Sequence, residues 1–201
     1  MESENRMSSS PLKVGFIIGS VRSGRFADTV AGWVVSQARR RDDIQVEVID
    51  LSEPALVEEL KLSLDAAEGP EKAPRLARRI ARQEAYVVIT PEYNHGYPAS
   101  LKLAIDYVYS EWRAKPISFV SYGGIAGGQR AVEQLRQVFA EMHAVTLRDT
   151  VSFHNAWEQF TDEGSPLDTK NVTKAATVMF DQLTWWGWTL REGRATRPYA
   201  V

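Results

Sequence analysis

Short apolar runs alternate with helix-sized segments along most of the chain, and this alternation limits the folds open to it. The runs predicted to form strands are residues 14–18, 46–49, 86–89, 117–120 and 145–151. The first, third and fourth are apolar throughout, as in strands covered on both faces, and the other two alternate as in strands nearer an edge. Because strands separated by helices need crossover connections, the sequence predicts an α/β fold: a single doubly wound, five-stranded parallel sheet with helices on both faces.

Apolar residues recur at spacings of three and four between these runs, which predicts amphipathic helices. The predicted helices cover approximately residues 26–37, 75–82, 101–108, 132–142 and 167–188. No linker or repeat divides the chain. One domain is therefore expected over residues 12–190, between a disordered N-terminal tail, residues 1–11, and a C-terminal tail, residues 191–201.

Charge and cysteine content exclude several classes of function. The 201 residues carry a net charge of -2, which gives no general attraction to nucleic acid or to an anionic membrane. The chain has no cysteine, so disulfides, thiolate metal sites and cysteine nucleophiles are excluded. No apolar stretch reaches the roughly 20 residues of a membrane helix, and the polar N-terminus has no signal-peptide core. We expect a cytoplasmic protein without nucleic-acid or membrane partners.

In doubly wound sheets, ligands bind outside the carboxyl ends of the strands, so the segments after Ile18, Ile89 and Val120 are the places to search. The first of these reads GSVRSGRF, residues 19–26, and leads into a predicted helix. A helix N-terminus favours an anion, and serine hydroxyls and arginine guanidinium groups add donors that suit a phosphate monoester. A serine helix cap with surface arginines is an equally good interpretation of this stretch alone.

The second segment, TPEYNHGYPASLKLAID, spans residues 90–106. Its prolines restrict the backbone, and Gly96 is expected to supply a positive φ. A rigid loop that carries aromatic and amide groups can lie along the edge of a flat heterocycle. The alternative is a proline-bounded loop whose tyrosines belong to the core.

The third segment, SYGGIAGG, spans residues 121–128 and contains four glycines. So many glycines indicate backbone brought close to a ligand, and the alternative is a long flexible loop before the next helix. Three such segments at three central strand ends are a stronger indication of a ligand site than any one of them.

These segments carry a resemblance to a known family. GSVRSGRF, PEYNHGYPASLKLAID and YGGIAGGQRAVEQLR together resemble the NAD(P)H-dependent FMN reductases of the flavodoxin-like superfamily, a group that includes quinone, azo-dye and chromate reductases. The resemblance runs from about residue 13 to residue 150. It implies a sheet of order 2-1-3-4-5, bound FMN, and a homodimer or homotetramer.

Carried over by position, the resemblance implies three groups of flavin contacts. The phosphate group would be held by Ser20, Arg22, Ser23, Arg25 and Phe26. The ribityl chain and ring edge would be lined by Pro91, Glu92, Tyr93, Asn94, His95 and Gly96. The ring would be contacted from the other side by Ser121, Tyr122, Gly123 and Gly124.

The resemblance implies hydride transfer from NADPH or NADH to flavin N5, followed by electron transfer to a small-molecule acceptor: flavin, quinone, azo compound or metal oxyanion. No catalytic acid, base, nucleophile or metal ligand is expected, because the cofactor carries the chemistry. The alternative function is an electron carrier or a flavin-binding regulatory module without NAD(P)H turnover. The tryptophan-rich residues 185–188 and the segment 107–116 are predicted to help form an oligomer contact.

Overall fold

The computed structural model describes residues 10–65 and 74–200. The strands are β1 Leu12–Ile18, β2 Ile44–Asp50, β3 Ala85–Pro91, β4 Pro116–Tyr122, β5 Val145–Thr146 and β6 Val151–Phe153. The helices are α1 Ala27–Ala38, α2 Pro54–Asp65, α3 Pro74–Arg82, α4 Ala99–Asp106, α5 Gln129–Glu141 and α6 Thr169–Thr196. Single-turn 3₁₀ helices lie at Ser110–Trp112 and Ala156–Glu158.

The strands form one parallel sheet of order β2-β1-β3-β4-β5, and this confirms the predicted flavodoxin-like topology. In the sheet register Ile18 lies opposite Ile89, and Ile89 lies opposite Val120. The three strand ends singled out in the sequence are therefore immediate neighbours. The strand order reverses between β1 and β3, where such sheets place their ligands.

The fifth predicted strand, residues 145–151, is divided into two short strands. β5 pairs with Pro116 and Ile117, whereas β6 pairs with β4 from Val120 onward. Between these two contacts the Ser118 hydroxyl donates to the Asp149 carbonyl oxygen at 2.9 Å. A side-chain hydrogen bond thus replaces part of the backbone ladder. The prediction of one continuous strand is wrong, while its place beside β4 is confirmed.

Helices cover both faces of the sheet. On one face α1 and α6 pack over Phe16 and Ile18, and on the other face α2, α3, α4 and α5 pack over Ile17 and Val88. Successive residues of β1 therefore enter opposite layers, as expected for a strand buried on both sides. Among residues 10–65 and 74–200, no helix combines the length and the apolar character that a membrane span requires.

Two helices differ from the prediction. The sequence analysis missed α2; among its residues 54–61, Leu56 and Leu60 are buried. The last helix continues to Thr196 instead of ending near residue 188. Its final turns are held by arginines, since Arg191 pairs with Glu84 at 3.4 Å and Arg194 donates to a backbone carbonyl.

The predicted tails are met only in part by the described residues. Most of the N-terminal tail, residues 1–9, lies outside them. Residues 191–196 of the predicted C-terminal tail are helical. The domain bounds 12–190 remain a prediction.

Candidate functional site

Three loops meet at the carboxyl edge of the sheet. We name them the first loop (residues 19–26, after β1), the second loop (residues 92–98, after β3) and the third loop (residues 123–128, after β4). The Ser20 and Tyr93 hydroxyls lie 2.7 Å apart and join the first loop to the second. The Ser100 hydroxyl, at the start of α4, donates to the Gly19 carbonyl oxygen at 2.6 Å. The first and second loops are thus joined, and the Glu92 N–H connects the second loop to the residue before the third loop by donating to the Tyr122 carbonyl oxygen at 3.0 Å.

Arg25 of the first loop is surrounded by acceptors. Its Nε donates to Asp28 at 3.0 Å. Its Nη1 donates to the Ser20 carbonyl oxygen at 2.6 Å and to Asp50 at 2.7 Å. Its Nη2 donates to Asp28 at 2.7 Å and to Asp50 at 2.5 Å. A guanidinium group has five N–H donors, so each of them has a partner. The structure gives Arg25 protein acceptors where the resemblance led us to expect a phosphate.

Arg22 and Ser23, in contrast, lie on the exposed side of the first loop. The Arg22 guanidinium carbon lies 3.5 Å from the centre of the Tyr93 ring, a cation–π contact. The helix that follows has Phe26 as its N-cap residue, with no side-chain cap bond, so the alternative of a serine cap is wrong. The first turn of α1, which follows the loop directly, adds N–H groups without intrahelical partners, and such a helix start favours an anion.

Phe26 and Tyr122 form the apolar floor beneath this loop. Their ring centres lie 6.3 Å apart, and Phe26 also packs edge-on against Phe160 at 5.5 Å. Tyr122 is 5% exposed, and burial raises the pKa of its hydroxyl, with a smaller contribution from Tyr93. That hydroxyl is buried without a well-formed hydrogen bond among the described residues, and an interaction with the Ser20 hydroxyl of smaller effect acts to lower its pKa. An unpaired buried hydroxyl is costly, and a ligand oxygen or nitrogen can supply the missing partner.

The second loop is a tight hairpin turn. Tyr93 and Gly96 exchange backbone hydrogen bonds of 2.8 and 3.1 Å. The two residues between them have positive φ, 50° at Asn94 and 74° at His95, as in a type I′ turn. Gly96 is not among the residues of positive φ, so the expectation that it supplies this conformation is wrong. Asparagine and histidine are among the side chains that tolerate it best.

Helix α5 holds the second loop in place. The Glu92 side chain is 6% exposed, and its carboxylate accepts from Arg130 Nε at 2.6 Å and from the Arg130 backbone N–H at 3.2 Å. One turn along α5, Gln134 donates to the His95 carbonyl oxygen at 3.0 Å. Pro91, the last residue of β3, is buried. Glu92 therefore points to α5, and the exposed residues of the turn are Asn94 and His95.

Hydrogen bonds tie the third loop to its neighbours. The Ser121 hydroxyl donates to the Gly127 carbonyl oxygen at 2.8 Å. The Gly123 N–H donates to Phe153 at 3.2 Å, and the Gly124 carbonyl oxygen accepts from the Asn155 N–H at 2.9 Å. The chain after β6 thus runs beside this loop and fixes it.

Some residues of the site were not found from the sequence. Asp28 and Asp50 hold Arg25, and Asp50 ends the edge strand β2, which the sequence analysis did not inspect. Trp157 is 61% exposed, and its indole would lie 3.7 Å from a Cβ placed on Gly124. Position at the common carboxyl edge was an available signal for Asp50. Nothing local in the sequence places Trp157 beside Gly124.

Comparisons with known proteins identify the family. A family model described as NADPH-dependent FMN reductase matches residues 12–158. An NAD(P)H-dependent FMN reductase of Schizosaccharomyces pombe is 38% identical over 130 residues, and the match covers 63% of this chain and 64% of that protein. A quinone reductase of Escherichia coli K12 is 30% identical over 145 residues, covering 69% of this chain and 75% of that protein.

The chain thus spans just under two thirds of the length of the Schizosaccharomyces pombe relative. Among solved structures, FerB, a flavoenzyme NAD(P)H:(acceptor) oxidoreductase from Paracoccus denitrificans, has a TM-score of 0.66 at 24% identity, covering 89% of this chain and 98% of that chain. This likeness supports the flavodoxin-like fold. The family model covers well over half of the chain and all three loops, and the chain therefore belongs to the NADPH-dependent FMN reductase family.

Proposed function

We propose that this protein is an FMN-dependent reductase that accepts a hydride from NADPH or NADH and passes electrons to a small acceptor. The observation that carries the proposal is the meeting of the three loops at the strand-order reversal, where the Ser20 and Tyr93 hydroxyls lie 2.7 Å apart. Membership of the family and the names of the relatives support the same activity.

The residues present fit FMN at this site. Arg22, Ser23 and the first turn of α1 offer charge and N–H donors for the phosphate. The unpaired Tyr122 hydroxyl offers one hydrogen bond at the floor of the site. Gly124 has no Cβ to occupy the space beside Trp157.

The residues of this chain would bind and orient the cofactor. Bound FMN would supply the redox chemistry, taking hydride from the nicotinamide and returning electrons to the acceptor. Tyr93, Asn94 and His95 would line the ribityl chain and the ring edge, held rigid by the type I′ turn. The Gly123 N–H already donates to Phe153, whereas the Gly124 N–H donates to no acceptor among the described residues. The Gly124 N–H would therefore be available to donate to the bound ring and to stabilise negative charge there.

The acceptor belongs to this proposal as a class: a flavin, a quinone, an azo compound or a metal oxyanion. The match to proteins named quinone reductase supports a quinone. The proposal extends to a homodimer or homotetramer in the cytoplasm. Exposed apolar side chains on α6 support an oligomer, since Trp185 is 59% and Val178 is 41% exposed. In the segment 107–116, Trp112 is buried in the core, and the exposed large side chain is Tyr109, at 49%.

Anaerobic mixing tests the function. The flavin-loaded protein is mixed with NADPH or NADH, and the flavin absorbance is followed over time. We expect rapid loss of the oxidised flavin band and its return when a quinone is added. Unchanged absorbance with both nicotinamides would contradict the reductase and favour the electron carrier or regulatory module. Steady-state rates with a panel of acceptors then rank the acceptor classes.

A further inference from the structure

The two arginines of the first loop differ in what is left for a ligand. Arg25 gives all five N–H donors to Asp28, Asp50 and the Ser20 carbonyl oxygen, and its side chain is only 9% exposed. Arg22 is exposed and has no ion pair among the described residues. Its guanidinium group packs on the face of the Tyr93 ring. A ligand can therefore recruit Arg22 by rotating one side chain, whereas recruiting Arg25 means breaking bonds that already exist.

The net charge around Arg25 also argues against Arg25 as the phosphate ligand. The positive charge of Arg25 faces two carboxylates at 2.5 and 2.7 Å, so the cluster of Arg25, Asp28 and Asp50 is negative in sum. Hydrogen bonding to Asp50 raises the pKa of Arg25. Burial acts to raise the pKa of Asp50, but Arg25 and the Ser52 N–H outweigh it and hold that pKa below its usual value. Both shifts favour the charged forms of Arg25 and Asp50, and a cluster with two carboxylates for one guanidinium group does not attract a phosphate.

The cluster does bind the first loop directly. The bond from Arg25 Nη1 to the Ser20 carbonyl oxygen closes the turn across five residues. It also engages a carbonyl oxygen that would repel an anion if it were free to face one. Asp50 is fixed in turn, since it accepts from the Ser52 N–H and the Ser52 hydroxyl, both at 2.9 Å. The edge strand β2 thereby supports the conformation of the first loop.

We propose that Arg25, held by Asp50 and Asp28, is a positioning residue that shapes the first loop and is not a ligand of the phosphate, which leaves that role to Arg22, the other arginine that the resemblance assigns to the phosphate. This inference rests on the proposed function and refines it. The site should therefore distinguish FMN from riboflavin, which lacks the phosphate, through Arg22. Loss of Asp50 should harm FMN binding even though it frees the donors of Arg25.

The experiment measures the dissociation constants of FMN and riboflavin by flavin-fluorescence titration of the flavin-free protein. For Arg22→Ala we expect FMN binding to weaken by about 10- to 100-fold, as for loss of a charged hydrogen bond, and riboflavin binding to stay within about twofold. For Asp50→Asn we expect FMN binding to weaken by at least about fivefold. If Arg25 were itself the phosphate ligand, Asp50→Asn would instead release it and strengthen FMN binding, and that result overturns the proposal.

Two further variants keep the test decisive. Arg25→Lys retains the charge but has three donors, so we expect it to weaken FMN binding as Asp50→Asn does. If FMN binds to Arg25→Lys as tightly as to the wild type, a positioning role is contradicted. This variant also covers the case in which Asp50→Asn fails to fold. Asp181→Asn is the matched control, because Asp181 pairs with an arginine, Arg41, at 2.6 Å outside the three loops. It should leave both dissociation constants unchanged. If the wild-type protein binds neither flavin, the proposed function itself fails.

Discussion

A buried lysine at the amino end of β4 makes the stability of this protein depend on pH in a calculable way. Lys115 is 8% exposed. Its Nζ donates to the carbonyl oxygens of Ile80 and Ala81, both at 3.1 Å, and to the Tyr86 hydroxyl at 3.2 Å. Burial, with a smaller contribution from Arg194, lowers the pKa of Lys115 to about 8. Glu111 and Glu84 act in the opposite direction with smaller effect.

The sign follows from proton linkage. An unfolded lysine keeps its proton up to about pH 10.5, whereas the folded protein releases it near pH 8. Between these values the unfolded chain binds more protons, so the free energy of unfolding rises with pH. At about 1.4 kcal/mol per pKa unit, the rise is roughly 3 kcal/mol.

The perturbation is Lys115→Met, which keeps the length of the side chain and removes its charge. Near pH 7 the variant loses three hydrogen bonds of about 1 kcal/mol each but also loses the cost of the buried charge, so the two proteins should be about equally stable. By about pH 10.5 the wild type should be more stable by roughly 3 kcal/mol, because its amine is then neutral and still donates.

Urea unfolding followed by circular dichroism between about pH 7 and pH 10.5 measures this difference. Both proteins are used without flavin. If the two stability curves run parallel across the window, the burial argument is refuted. Lys102→Met is the matched control. The Lys102 ammonium pairs with Asp106, which raises the pKa of Lys102, so the contribution of this pair to stability is lost as pH rises. The stability advantage of the wild type over Lys102→Met must therefore not grow with pH.

Three further predictions concern the loops and the oligomer. Gly128→Ala should destabilise the protein by about 3 kcal/mol, because φ is 83° at Gly128 and the new Cβ would lie 2.7 Å from the Ser121 Cβ. Gly32→Ala, in open space on α1, should instead stabilise the protein by about 0.5–1 kcal/mol. Urea unfolding midpoints of the two variants check both expectations. His95→Val should cost about 1–2 kcal/mol and His95→Gly should not, because φ is 74°; equal losses would contradict the strained turn. Sedimentation at micromolar concentration should show an oligomer that Trp185→Arg shifts toward the monomer, and a monomeric wild type excludes this contact.

Hydrophobic periodicity was sufficient for the doubly wound α/β class, whereas the strand order followed from the family resemblance. The strand ends Ile18, Ile89 and Val120 could be recognised because each closes an apolar run, and the register places them side by side. The split after β5 could not be predicted, since it depends on a hydrogen bond from Ser118 to Asp149, 31 residues away. Local pattern carries no information on such a partner.

The candidate site was predictable as a location and less so in its interactions. The three loops were found because glycine, proline and polar residues follow buried strands. The partners of Arg25 were not, because Asp50 becomes its neighbour only when β2 pairs with β1. The φ of 50° at Asn94 was likewise missed, since a glycine two residues later is the more obvious carrier of that conformation.

The contacts of α5 with the second loop bear on how wide the site can be. Arg130 and Gln134 of α5 donate hydrogen bonds to the second loop, and α5 begins directly after the third loop. The second and third loops are therefore both attached to α5, and the position of this helix helps to set the distance between them. The opening available to a flat ring is thus governed by a helix that supplies none of the expected flavin contacts.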